Sequence, residues 1–289
     1  MYHLLFQHII RVMILAAILS CNSFDPGHAK AGIQNTTPSK TSLHSETEAR
    51  PVHWSYTEEG GPEGWAKLSP TYAQCGLGKL QSPVNLVTGN NQPGTRWKVE
   101  YKTTELKVSH NQHMEELIDN GHTIQVTLDK GSTITYGGKT YHLKQFHFHT
   151  PSEHTLDSIH APMEIHLVHQ SEDKSFAVIG VLVKKGNHNK HFDQLIKILP
   201  NSPGEKSTHE SLEIDLGAYV PKDLHAYHYV GSLTTPPCTE NVQWLVMKNL
   251  IEMSTEQIRA FSSRLKNNNR PAQPLNKRKI TMDDIPTIN

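Results

Sequence analysis

A chain of 289 residues with 28 Lys and Arg against 28 Asp and Glu has no net charge with which to hold a polyanion, so composition points to neither nucleic acid nor an anionic membrane surface as a partner. The length allows one large domain with a hydrophobic core, and 36% hydrophobic against 19% charged residues excludes a wholly disordered chain. The outlying number is 20 histidines, more than any one site can use, so composition permits a metal site without locating one.

In chain order, residues 1–21 read as an export signal. Arg11 precedes the apolar run "VMILAAILS", nine residues that fit a signal core and are too short to span a bilayer. The run ends in Ile18-Leu19-Ser20-Cys21, which resembles a bacterial lipobox. On that reading Cys21 carries a lipid and tethers the protein to a membrane; ordinary cleavage after Ala29–Ala31 is the alternative. Either way the expected location is outside the cytoplasm, in the periplasm. Residues 22–50 are rich in Ser, Thr, Pro and Gly without apolar periodicity and read as a flexible linker, with the folded domain expected over 51–289. Once Cys21 is cleaved off or lipidated, Cys75 and Cys238 remain as an even pair in an oxidising compartment. A bridge between them would close a loop of more than 160 residues, an upper figure of about 5 kcal/mol. Two buried free thiols are the other option.

Strand signals dominate the folded part of the chain. "EELIDNGHTIQVTL" sets an Asn-Gly turn between alternating segments, and "STITYGGKTYHLKQFHFH" is a second hairpin about Gly137-Gly138. "MEIHLVHQ" alternates, "SFAVIGVLVKK" is a continuous apolar run suited to a strand buried on both faces, and "NVQWLVMK" is a further strand. Helices are expected only at "NKHFDQLIKILP" and "STEQIRAFSSRLKN", the second capped by Ser254 or Thr255. The expected fold is mainly β: a single domain with one large sheet and short peripheral helices.

The chemistry gathers at "QFHFHTPSEHTL". Side chains two apart share a face of a strand, so His147 and His149 point one way while Phe146 and Phe148 enter an apolar layer on the other. A third imidazole must come from a neighbouring strand. His166 and His169 lie three apart and therefore on opposite faces; Glu164 shares a face with His166 and can accept its second ring N–H, which makes His166 the better ligand. Gln145 can orient His147 in the same way. Three neutral imidazoles with one open position describe a catalytic Zn2+ site. A histidine-rich zinc buffer is the rival that composition suggests.

With "HWSYTEEGGPEGW", "QSPVNL", "QFHFHTPSEH", "MEIHLVH", "GSLTTPPCTENVQW" and "RPAQPL" in this order, the chain resembles the α-class carbonic anhydrases, the exported bacterial members in particular. The resemblance implies a large, twisted, mostly antiparallel sheet with zinc at the base of a conical cleft, and reversible hydration of carbon dioxide to bicarbonate. It implies His147, His149 and His166 as ligands, the His3 set known for carbonic anhydrase itself, with a backbone carbonyl near Asn268 orienting His149. Thr234 would direct the nucleophile while donating its own proton to Glu153, and His122 would carry the product proton out. Val168, Val178, Leu233 and Trp244 would form the apolar pocket for carbon dioxide, with Thr235 at the substrate end and Tyr56 and Gln145 on the polar wall. It implies cis bonds at Ser82-Pro83 and Pro236-Pro237 and pairs Cys75 with Cys238. Only sixteen residues separate His149 from His166, fewer than in animal members, so a loop is trimmed. A non-catalytic binding module on the same fold is the second rival; such relatives lack a ligand histidine, and this chain retains all three. Monomer and dimer both stay open.

Overall fold

Ile124–Leu128, Thr133–Tyr136 and much of Lys139–His149 alternate between buried and more accessible positions, the period of strands packed on one face. The structure, a computed structural model, describes residues 52–89, 92–93, 112–128, 131–136, 138–223 and 225–283. The expected signal, the linker and Gly137 lie outside the described residues. Arg50–Asn289 forms one compact unit.

Among the described residues, fifteen strands run in chain order. β1 (Asn85–Leu86), β7 (Thr155–Leu156) and β8 (Ile159–His160) make a small three-stranded sheet. The large sheet, of 12 strands, contains β2 (Gln92–Pro93), β3 (Gln112–Asp119), β4 (Ile124–Leu128), β5 (Thr133–Tyr136), β6 (Lys139–His149), β9 (Met163–Gln170) and β10 (Phe176–Lys185). It is completed by β11 (Lys206–Ile214), β12 (Ala226–Ser232), β13 (Glu240–Met247), β14 (Ile251–Met253) and β15 (Thr281–Asp283). Its main path is β11-β3-β4-β6-β9-β10-β13-β12-β15-β2. The pairs from β11 to β10 are antiparallel. β10 is parallel to β13 and to β14, a mixture possible because long stretches of chain return between these strands.

β10 is buried on both faces, as its unbroken apolar run requires, and divides two cores. Ala177, Ile179, Val181 and Val183 join one core with Phe146 and Phe148; Val178 and Leu182 join the other with Val168, Tyr229 and Trp244. The first core is closed by helix packing, with the Phe148 ring 4.5 Å from that of Phe261 between centroids. Phe261 lies on α4 (Thr255–Ser262), where Ser254 is the cap and forms a capping box with Gln257. The other expected helix is shorter than its sequence run: a 3-10 turn, Lys190–Phe192, leads into α3 (Asp193–Lys197). Two further short helices, α1 (Trp65–Leu68) and α2 (Gln74–Leu77), gave no signal at four residues each.

The first hairpin turns one residue later than expected. Asp119 pairs with Ile124 and the Asn120 N–H donates to the Thr123 carbonyl, so Gly121 and His122 form the turn. Gly121 takes the positive φ, +80°, that this turn demands. Asn120 instead serves as the acceptor: its Oδ1 takes the N–H groups of His122 at 2.9 Å and Thr123 at 2.8 Å. That places His122 at a turn tip.

Candidate metal centre

β6 presents His147 and His149 on one face, and antiparallel β9 sets His166 directly opposite His147. Ring centroids are 5.0 Å apart for His147–His149, 5.2 Å for His147–His166 and 4.6 Å for His149–His166. One nitrogen from each ring lies within 4.8 Å of the other two. His169, the alternative third imidazole, is on the other face of β9, buried and paired opposite Ala177 and Leu143.

Hydrogen bonds select which nitrogens converge. His147 Nδ1 meets Gln145 Oε1 at 2.8 Å, His149 Nδ1 meets the Asn268 carbonyl at 2.6 Å, and His166 Nε2 meets Glu164 Oε1 at 2.9 Å. These oxygens only accept, so the three named nitrogens carry the protons and leave lone pairs on His147 Nε2, His149 Nε2 and His166 Nδ1. Burial pushes all three imidazole pKa values down, His149 to about 4, so the lone pairs are free at neutral pH. His149 Nε2 is buried and has no hydrogen-bond partner. A buried lone pair of that kind is satisfied by a cation, and the donor set fits zinc.

Glu153 lies beside the rings, Oε2 at 3.6 Å from His149 Nε2 and 3.9 Å from His166 Nδ1, while Oε1 accepts the Arg270 backbone N–H at 2.8 Å. Burial pushes its pKa up to about 7, opposed by His166, the Arg270 N–H and the Thr234 hydroxyl. Thr234 is thus near Glu153, whose Oε2 is buried without a hydrogen-bond partner. A cleft of about 190 Å³ opens beside His147 and His166, walled by Val168, Val178, Leu233 and Trp244, with Gln145, Thr234 and Thr235 at its polar side. Phe176 adds an apolar residue that the sequence did not single out.

A sequence model of the family described as eukaryotic-type carbonic anhydrase matches residues 60–284. The chain belongs to this family. It is 38% identical over 242 residues to a carbonic anhydrase of Neisseria gonorrhoeae, covering 83% of this chain and 92% of that protein. A carbonic anhydrase of Nostoc is likewise 38% identical, over 82% of this chain and 88% of its own. Among solved structures, the α-carbonic anhydrase of Thermovibrio ammonificans, in complex with the inhibitor sulfanilamide, superposes with a TM-score of 0.72 at 38% identity, covering 80% of this chain and 99% of that one. The protein is thus an enzyme of the α-carbonic anhydrase family, whose members act on carbon dioxide and bicarbonate and use zinc.

The resemblance also names His122, Tyr56 and Asn268. His122 is half-buried and stacks on Trp54 at 3.7 Å between centroids and 11° between planes, with His53 at 5.9 Å and Tyr56 at 6.4 Å. Burial and then His53 lower its pKa. It lies outside the residues that line the 190 Å³ cleft. Asn268 connects the two places: its Nδ2 donates to the His122 carbonyl at 3.0 Å while its own carbonyl holds His149. The Tyr56 hydroxyl is buried without a hydrogen-bond partner, its pKa raised by burial and by Glu153. Ser82-Pro83 and Pro236-Pro237 are cis, as is Thr150-Pro151, which the sequence did not lead us to anticipate. Cys75 and Cys238 form a disulfide.

Sequence reasoning passed over His154 and Tyr229. His154 Nδ1 meets Glu164 Oε1 at 2.7 Å and its Nε2 meets the Tyr229 hydroxyl at 2.7 Å, which in turn contacts Ser82 Oγ at 2.9 Å. Glu164 Oε2 takes the backbone N–H groups of Glu153 and His154 at 2.8 Å each. Burial alone would raise the Glu164 pKa; His154 and His166 outweigh it and hold the carboxyl well below its usual range. His154, Glu164 and His166 could be mistaken for a second metal cluster, but their facing atoms already satisfy one another. The available signal was the position of His154, next to Glu153 in "PSEH".

Proposed function

We propose that His147, His149 and His166 hold one Zn2+ ion and that the cleft beside them hydrates carbon dioxide reversibly to bicarbonate and a proton. The observation that carries this reading is the buried, unpartnered Nε2 of His149 facing two other imidazole lone pairs. When bound, the ion supplies acidity, lowering the pKa of water to about 7 as it does in carbonic anhydrases generally. Gln145, Asn268 and Glu164 keep the three rings in the required tautomer and orientation. An ionised Glu153 can only accept from the Thr234 hydroxyl, so in that state the Thr234 oxygen is left as acceptor toward the attacking water and aligns its lone pair on the substrate. The Thr234 backbone N–H serves the oxygen on which charge develops.

Carbon dioxide offers no hydrogen-bonding handle, and the apolar wall of Val168, Val178, Leu233 and Trp244 suits it, with Thr235 at the substrate end of the same cleft. His122 takes the proton from the cleft to buffer; its depressed pKa leaves it unprotonated and ready to accept at neutral pH. The reading includes export directed by residues 1–21, with a lipid tether at Cys21 as one form of it.

A zinc buffer would hold several ions loosely on accessible rings, and a non-catalytic binding module would hold none tightly here. The enclosed, tautomer-fixed rings favour neither. Equilibrium dialysis with elemental analysis tests this: one zinc ion per chain is expected, lost in His166→Ala with the fold retained. Several weakly held ions, or an undiminished ion in that variant, would count against the assignment.

A further inference from the structure

Arg270 is 1% exposed, and its guanidinium is engaged with neutral oxygens. Nη1 donates to Gln81 Oε1 and to the Ser82 carbonyl at 2.8 Å each, Nη2 donates to the Cys75 carbonyl at 2.7 Å, and the group lies 5.5 Å from the centre of the Trp65 ring. Burying a cation among neutral acceptors is costly, so this arrangement is a poor source of stability compared with an apolar side chain of the same size. Burial lowers the Arg270 pKa only to about 10, which leaves the group charged at neutral pH.

What the guanidinium grips is the segment that frames the Thr234 loop. Cys75 is bonded to Cys238, Gln81 Nε2 donates to the Cys238 carbonyl at 3.2 Å, and Ser82 exchanges two hydrogen bonds with Ser232, at 2.9 and 3.0 Å. Ser232 and Cys238 stand on either side of Thr234, and the Cys238 N–H closes the loop onto the Thr235 carbonyl at 2.8 Å. The other end of the same residue, its backbone N–H, is on Glu153 Oε1. Arg270 therefore joins the support of the hydroxyl to the support of the carboxylate.

We propose that Arg270 is a positioning residue that holds the Glu153 carboxylate in register with the Thr234 hydroxyl by anchoring its own backbone, through the guanidinium, to the segment bridged to Cys238. The inference rests on the proposed roles of Glu153 and Thr234. Arg270→Lys keeps the charge but cannot span the three acceptors. In zinc-loaded protein this variant should lower kcat for carbon dioxide hydration about tenfold, with KM changed by no more than about twofold, the pattern of a lost transition-state contact. In a Thr234→Val background the same substitution should cost nothing further, because the pair it aligns is gone. An equal fold-loss in both backgrounds, or an undiminished kcat in Arg270→Lys, would overturn the proposal.

Should Arg270→Lys not fold, Gln81→Glu keeps the acceptor for the guanidinium but loses the donor to the Cys238 carbonyl, whereas Gln81→Ala loses both. The extra loss in Gln81→Ala over Gln81→Glu reports the Arg270 anchor and should vanish beside Thr234→Val. Amide hydrogen exchange at residue 270 gives a readout independent of turnover: protection should be strong in wild type and reduced in Arg270→Lys and in Gln81→Ala, and unchanged protection contradicts the anchoring. A wild-type protein with the protected amide but no hydration activity would speak against the proposed function and leave the anchoring intact.

Discussion

His122 occupies a turn tip whose backbone is fixed twice, by Asn120 Oδ1 on its N–H and by Asn268 Nδ2 on its carbonyl, while its ring stacks on Trp54. Both influences on its pKa, burial and the neighbouring His53, favour the neutral ring. A neutral, half-buried imidazole can accept a proton at pH 7 and pass it to buffer. His122→Ala should therefore slow turnover in dilute buffer, by about tenfold or more, and added imidazole should restore it; stopped-flow rates that are the same in both buffers would remove His122 from the pathway. At this scale the sequence was most informative where side chains two apart had to share a face. That rule groups His147 with His149 and Gln145, and His166 with Glu164; the resemblance then names the three imidazoles as ligands. Asn268 acts through its carbonyl, which no side-chain pattern records, and was reached only by resemblance. Arg270 and Tyr229 were missed because their partners lie far away in sequence, Cys75 and Ser82 among them.

Among the elements, β6 and β9 carry the centre, and their register brings the imidazoles together: His147 faces His166, and His149 faces Glu164. The alternating pattern of β6 made it legible, as did the apolar run of β10. β12 was not recognised as a strand, because residues on both its faces are buried and the sequence "AYHYVGS" mixes polar and aromatic residues without alternation. The Thr234 loop follows β12 and is held by Leu233 N–H on the Thr239 carbonyl and by the disulfide from Cys238 to Cys75. That bridge spans a sequence separation of 163, for which loop entropy sets an upper figure of about 5 kcal/mol. Because it also ties down the loop that carries Thr234, replacing both cysteines by serine should lower the melting temperature and kcat together. A variant that melts as wild type does, or one that loses stability while its kcat is untouched, would break the link between loop support and turnover.

At the scale of the whole molecule, the large sheet separates a core with no titratable task, built on Phe146, Phe148 and the residues packed under α4, from a face on which imidazoles, carboxylates and an apolar wall converge. The fold class was legible because strand periodicity recurs along the chain. The parallel pairing of β10 with β13 was not, since periodicity says nothing of strand direction. The position of the first turn shifted by one residue for a local reason, Asn120 being drawn into capping the turn and not into forming it. In the proposed function, hydration of carbon dioxide in this cleft depends on one zinc ion held by three imidazoles. Stopped-flow carbon dioxide hydration, on protein stripped by a chelator and then reloaded with one equivalent of zinc, tests that most directly. Activity should disappear with the ion and return in proportion to the zinc restored. A chain that holds its full equivalent of zinc and still does not accelerate bicarbonate formation would contradict the assignment.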